Sequence, residues 1–242
     1  MSTSKGKGLG FADSVDIAPA QIWRFLLVRT RPNAVIDFDT DTNDLILLYE
    51  RYDRTERVYY GKEDLGEKEN KKQKRIYELS YIGKIPKRMP PQVPFTHAAV
   101  LVQIFENEQD ILENLKETGH LYQDASKEEL SYVKERLKFA GKWVDNFAPE
   151  QYKFELQTKV NVKLDNLQKK ALHMIAARLK KGKWSEQQLY NEFYKIRDEL
   201  EIAPKDLFRA AYLVLLNKEK GPKLAPFLLA VKDKAIKLFE VV

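Results

Sequence analysis

An all-α fold follows from three features of the sequence. Apolar residues recur at three- and four-residue spacing in segment after segment, and Pro, Gly and capping patterns punctuate those segments. The period-two alternation of half-buried strands is nearly absent, and no fixed-period repeat of the solenoid kind is present, which leaves an all-α bundle or a pair of bundles. At 242 residues the chain can form one large domain or two modest ones, each with a sizeable core.

Element by element, Pro19 stands where a first helical turn would start, and Ile22, Phe25 and Leu26 then fall on one face until Arg31-Pro32-Asn33 stops the helix. A short extended piece, Val35 to Phe38, leads into a helix carrying Leu45, Leu48, Tyr49, Tyr52 and Tyr59, which Gly61 ends. Residues 62–75 hold ten charged residues in fourteen and fit either a helical extension or a linker; the Pro-rich stretch Pro86 to Pro94 is non-helical, and a subdomain joint is placed here. Thr96 is the expected cap of a helix with Val100, Leu101, Ile104 and Phe105, followed by a shorter one with Ile111, Leu112 and Leu115 up to Gly119. Ser126 with Glu129 forms a capping box before Leu130, Val133, Leu137, Ala140 and Val144. Leu164, Leu167, Ala171, Leu172, Ile175 and Leu179 make a further helix up to Gly182, and Ser185 with Gln188 caps the next, bearing Leu189, Phe193, Ile196 and Leu200. Pro204 opens a helix with Leu207, Phe208, Ala211, Tyr212 and Leu215, Gly221-Pro222 breaks it, and two short helices over 225–230 and 234–240 finish the chain. Trp23 and Trp143 read as core.

Composition narrows the function classes. With 43% hydrophobic and 32% charged residues and only 10 Gly and 10 Pro, collagen-like and wholly disordered classes are excluded. Zero Cys removes disulfide scaffolds, thiolate metal sites and cysteine nucleophiles, and His97, His120 and His173 are scattered too widely in sequence for a zinc signature, so no metal is expected. No apolar run reaches the roughly 20 residues of a membrane span, so no membrane partner is expected and a cytoplasmic location is.

The net charge of +6 is unevenly spread, because residues 168–242 hold 16 Lys and Arg against 9 Asp and Glu. A basic C-terminal third on a nearly neutral body fits a polyanion docked at one end, RNA rather than DNA; it equally fits a solvated Lys-rich helical surface. Lys169, Lys170, Arg178, Lys180, Lys181, Lys183, Lys220 and Lys223 are the candidate phosphate contacts, with His173 on the same stretch. Trp184, Arg209 and Tyr212 are the candidates for stacking on unpaired bases. Trp184 also suits a staple between Gly182 and the Ser185 cap, Tyr212 a core position, and Arg209 a solvated face.

Asp37, Asp39, Asp41 and Asp44 suit a helix N-terminus, where the dipole favours negative charge, and lack the spacing of a calcium loop. In the N-terminal loop Lys5 and Lys7 alternate with Gly6 and Gly8, so cations stand beside unhindered backbone amides, and Ser2, Thr3 and Ser4 add hydroxyls. Such a loop can stabilise charge on a phosphoryl group, and the same composition is that of an ordinary frayed terminus.

The opening MSTSKGKG resembles the second signature loop of class I aminoacyl-tRNA synthetases, written K-M-S-K-S, entered at its Met. WRFLLVRTRPNAVIDFD followed by LYERYDRTERVYYG is similar to the region after that loop in class I lysyl-tRNA synthetases, and KEKGPKLAPFLLAVKDKAIKLFE resembles the terminal helices of the anticodon-binding portion these enzymes share with glutamyl-type synthetases. The resemblance implies a lysine–tRNA ligase, which joins lysine and ATP into lysyl-adenylate and pyrophosphate and passes the lysyl group to the 3′ end of its tRNA. It implies that Lys5, with Ser2, Thr3 and Ser4, stabilises the departing pyrophosphate, and that Met1, Ser2, Thr3, Ser4, Lys5 and Gly6 contact ATP in the full-length enzyme. Met1, Ser2 and Ser4 match the motif's Met and two Ser, Thr3 stands in place of its second Lys, and its leading Lys is missing.

The implied organisation is a signature-loop remnant at 1–10, a stem-contact helical subdomain with its charged and Pro-rich linker at 11–90, a helical bundle at 91–163, and a basic α-helix cage that takes the anticodon at 164–242. The nucleotide-binding α/β half of such enzymes would precede the loop, so the chain alone is expected to hold tRNA-Lys without activating lysine, as a monomer. Two competing readings are a stand-alone helical RNA-binding module with a flexible Gly/Lys arm and a helical scaffold that binds proteins.

Overall fold

A computed structural model describes residues 14–36, 38–39 and 42–242, and among these it contains helices and no strand. Met1, Ser2, Thr3, Ser4, Lys5, Gly6, Lys7, Gly8, Asp37 and Asp41, all singled out in the sequence, lie outside the described residues. The helices are α1 (Ala20–Arg29), α2 (Asp44–Tyr59), α3 (Glu67–Ser80), α4 (Phe95–Ile104), α5 (Glu108–Glu117), α6 (Lys127–Asn146), α7 (Asn166–Lys180), α8 (Glu186–Leu200), α9 (Pro204–Leu216), α10 (Leu224–Ala230) and α11 (Lys232–Glu240). Two compact units divide the chain: residues 1–99 with 120–149, and residues 100–119 with 150–242.

In the first unit α1, α2 and α3 pack on one another, and Tyr49 of α2 stacks on Phe95 with ring centroids 4.3 Å apart, Phe95 in turn meeting Trp143 of α6 edge-on. Trp143 is fully buried, whereas Trp23 is only half-buried, its ring edge-on to Phe38 and its indole N–H donating to the Ser14 carbonyl at 2.7 Å. The charged run 62–75 neither extends α2 nor forms a linker. Gly61 and Gly66 adopt positive φ and turn the chain, and α3 then carries the remaining charges on a helix anchored by buried Ile76 and Tyr77.

The Pro-rich stretch is non-helical and tied down along its length. Pro86 and Met89 offer their carbonyls to the hydroxyls of Tyr60 and Tyr122, and Arg88 lies 4.3 Å over the Tyr122 ring while bonding Glu129 and Asp124. Helix α4 begins one residue before the expected cap: Thr96 sits inside the first turn, because the Pro94 carbonyl accepts from Ala98 N–H at 2.9 Å and already closes that turn. The Ser126/Glu129 capping box at α6 is present with both reciprocal bonds.

A buried polar cluster lies among α2, α3 and α6. Arg136 grips Asp53 through two bonds of 2.8 Å, donates again to the Val93 carbonyl, and lies over the Tyr49 ring. Glu56, fully buried, accepts from the Tyr77 hydroxyl at 2.8 Å and from the Gln92 amide at 2.7 Å. Burial raises the Glu56 carboxyl to about 7, while the bond from Gln92 pulls the other way. His97 and His120, distant in sequence, lie with ring centroids 4.8 Å apart, and burial, with His120 adding to it, pushes the His97 imidazole down to about 3.

In the second unit, residues from α7 to α11 bury one continuous core, from Ala171 and Leu172 through Phe193, Leu207 and Leu215 to Phe227 and Phe239, with Val100 of α4 joining it. The connection before α7 is extended and lies on this core through Phe154, Leu156, Val160, Val162 and Leu164; Gln103 pins its start by pairing with the Tyr152 carbonyl and the Phe154 N–H. Helix α7 starts after Leu164, at a capping box of Asp165 and Gln168, and α8 starts at the expected box of Ser185 and Gln188.

Candidate nucleic-acid interface

The basic residues singled out in the sequence gather around α7 and the five-residue connection to α8. Lys170, His173, Ala177, Lys180 and Lys181 are exposed and follow one another at three- and four-residue spacing, with one adjacent pair at the end, so they line the side of α7 opposite its core residues Leu172, Ile175 and Leu179. Lys169 is half-buried beside them. The cations at the end of α7 also complement its dipole.

The connection is held in one shape. The Trp184 indole N–H donates to the Arg178 carbonyl at 2.9 Å, Lys232 Nζ donates to the Gly182 carbonyl at 3.2 Å, and the Trp184 ring packs against the core. The Arg178 carbonyl also accepts from the Lys181 backbone N–H at 3.1 Å, so main chain and side chains together close the end of α7. Lys181 and Lys183 are thereby presented to solvent from a braced loop, and among the described residues neither makes an ion pair.

Other expected contacts are engaged inside the unit. Arg178 pairs with Glu192 at 3.2 Å and Glu199 at 3.4 Å, Lys180 with Glu240, and Arg209 with Glu219. The Tyr212 hydroxyl donates to the Pro222 carbonyl, and its ring packs on the core beside Gly221, where a Cβ would lie 2.7 Å from Tyr212 Cδ1. Burial raises the Tyr212 phenol to about 12. Lys220 and Lys223 are exposed on the connection between α9 and α10. The structure therefore groups Lys170, His173, Lys181 and Lys183 along α7 and its C-terminal loop, and uses Trp184, Tyr212 and Arg209 in local contacts.

Chemically this surface offers lysine ammonium groups and one imidazole. Among the described residues no group of three or more His, Asp or Glu is placed to hold a metal ion, and no helix is long and apolar enough to cross a membrane. Asp44 stands in the first turn of α2, where its carboxylate accepts from the Asp39 backbone N–H at 3.0 Å.

Residues 1–83 match the family described as tRNA synthetases class I (K). The chain is 40% identical over 235 residues to the lysine–tRNA ligase of Borrelia garinii subsp. bavariensis, an alignment covering 94% of this chain and 43% of that protein. Over nearly its whole length the chain is thus similar to a C-terminal region of lysine–tRNA ligases. The lysine–tRNA ligases of Treponema pallidum and Pyrococcus horikoshii are 35% and 34% identical over 233 and 231 residues, each alignment covering 94% of this chain and 43% and 44% of theirs. The chain thus spans less than half the length of these relatives.

Proposed function

We propose that this chain is the tRNA-gripping portion of a lysine–tRNA ligase, contacting the stem and anticodon regions of tRNA-Lys. In this reading the ligase as a whole uses ATP to activate lysine, with Met1, Ser2, Thr3, Ser4, Lys5 and Gly6 at its nucleotide and Lys5 on the departing pyrophosphate, and works in the cytoplasm. The observation that carries the binding role is the exposed Lys170 and His173 on α7, continued by the braced loop with Lys181 and Lys183. Phosphates neutralised by such lysines release condensed counterions, which gives affinity without sequence information.

The test is fluorescence anisotropy of a labelled tRNA-Lys transcript titrated with the 242-residue chain at a series of salt concentrations. Binding is expected to weaken steeply with salt, by about 0.7 to 0.9 in log K per log unit of salt for each phosphate contact, and to weaken further when anticodon bases are changed. Equal affinity for unrelated tRNAs at moderate salt, or binding indifferent to salt, would overturn the reading.

A further inference from the structure

On α8 the core is built by Leu189, Phe193 and Ile196, and the residues one position later turn away from it. Tyr190 and Tyr194 are 41% and 39% exposed, unusually bare for rings of this size. Their hydroxyls bond each other at 2.7 Å, their ring centroids lie 5.0 Å apart at 74°, and the Arg197 guanidinium sits 4.9 Å from the Tyr194 ring centre. Gln187 and Asn191 continue the same face, their amides joined at 3.0 Å. The result is a line of two fixed aromatic rings and a stacked guanidinium, edged by amides that can donate and accept.

Three of the four carboxylates on α8 are paired with cations. Asp198 is held by Arg197, Glu199 by Arg178, and buried Glu192 by Arg178 and Lys195. Lys183 lies just ahead of the helix, and the last 75 residues carry the excess of positive charge. Phe193, the ring of the same helix that serves packing, is by contrast buried, where it meets Phe208 edge-on.

We infer that Tyr190, Tyr194 and Arg197 form a platform on which unstacked bases of a single-stranded RNA segment lie, with Gln187 and Asn191 at the base edges. Stacking on aromatic and guanidinium planes, with hydrogen bonds to base edges, is how single-stranded RNA is recognised. The inference rests on the tRNA-binding reading and deepens it: it transfers base contact from Trp184, Tyr212 and Arg209, which are engaged locally, to a face of α8.

The test uses the whole chain, a tRNA-Lys transcript, and the same transcript with 2-aminopurine in the anticodon loop. Tyr190→Ala and Tyr194→Ala should each weaken binding about five- to 150-fold, the range for loss of one stacked base, and should abolish the quenching of 2-aminopurine fluorescence seen with the unaltered chain. The double variant Tyr190→Phe/Tyr194→Phe, which keeps both rings, should bind within about threefold of the unaltered chain, with circular dichroism melts confirming that all variants are folded. If the unaltered chain binds with salt dependence and the folded alanine variants bind equally well, the platform is wrong and the tRNA-binding reading stands. If the unaltered chain does not bind the transcript, both fall together.

Discussion

Arg136 and Asp53, 83 residues apart in sequence, meet through two parallel bonds of 2.8 Å with both side chains almost wholly removed from water. A charge so placed is tolerated only because its partner is there, and Arg136 further uses the Val93 carbonyl and the Tyr49 ring to satisfy the rest of its guanidinium. The pair joins α6 to α2 and to the end of the Pro-rich stretch. Asp53→Asn or Arg136→Met alone should cost about 3–5 kcal/mol in urea unfolding, since each leaves a buried group unpaired, and the double variant should cost clearly less than the sum. Additive costs would mean that the pair is not coupled.

Three residues after Asp53 on the same helix, Glu56 offers a pH-dependent contribution of unusual sign for a carboxylate. Its folded pKa of about 7 lies above its ordinary value of 4.5, so the folded chain holds this proton longer than the unfolded one. The stability it contributes is complete below about pH 4.5 and disappears as pH rises through about 7. His97 works in the opposite direction, since its imidazole stays neutral when folded down to about pH 3, and the two effects overlap in the acidic range. Comparing the unaltered chain with Glu56→Gln removes the His97 contribution, which both share. The stability difference between them should shift against the unaltered chain by on the order of 2 kcal/mol between pH 5 and pH 8 in denaturant titrations, and a difference independent of pH would refute it.

What the sequence made readable and what it hid divide along the range of the interactions. The capping boxes at Ser126 and Ser185 and the core lines of α7 and α8 depend on residues within one or two turns, and they appear as expected except that Leu167, in the first turn of α7, is exposed. The box of Asp165 and Gln168 follows the same local rule and was equally readable, which is why α7 begins after Leu164 rather than at it. Thr96 looked like a cap because Thr is a cap residue, but Pro94 had already closed the turn. The fate of the cations was hidden for another reason: the partners of Arg178, Lys180 and Arg209 lie 14, 60 and 10 residues away and are chosen by packing. Tyr190 and Tyr194 were within reach of sequence reasoning, since assigning Leu189 and Phe193 to the core already turns the next residues outward.

Gly221 tests how tightly Tyr212 is seated. A Cβ there would approach Tyr212 Cδ1 to 2.7 Å and Leu216 Cδ1 to 2.9 Å, and neither neighbour is loose, because the Tyr212 hydroxyl is bonded to Pro222 and Leu216 is in the core. Gly221→Ala should therefore cost about 1–3 kcal/mol of stability. Gly182→Ala, where nothing lies within 4 Å of the new atom, should change it by less than about 0.5 kcal/mol. Thermal melts of the two variants side by side check this, and equal melting temperatures would show that the Tyr212 ring yields.

The braced loop between α7 and α8 makes a prediction about slope rather than strength. Lys181 and Lys183 are exposed on a connection fixed by Trp184 and Lys232, so removing them should leave the fold intact while subtracting phosphate contacts. For Lys181→Ala/Lys183→Ala the slope of log K against log salt for tRNA-Lys should become shallower by about 1.4 to 1.8, the value for two contacts, and the ratio of affinities for tRNA-Lys with native and altered anticodon should stay the same, because phosphate contacts carry no base information. Lys180→Ala should alter the slope less, since its ammonium is already spent on Glu240. A loss of anticodon preference in the double variant, with an unchanged slope, would mean that these lysines read bases and that the loop is not an electrostatic contact.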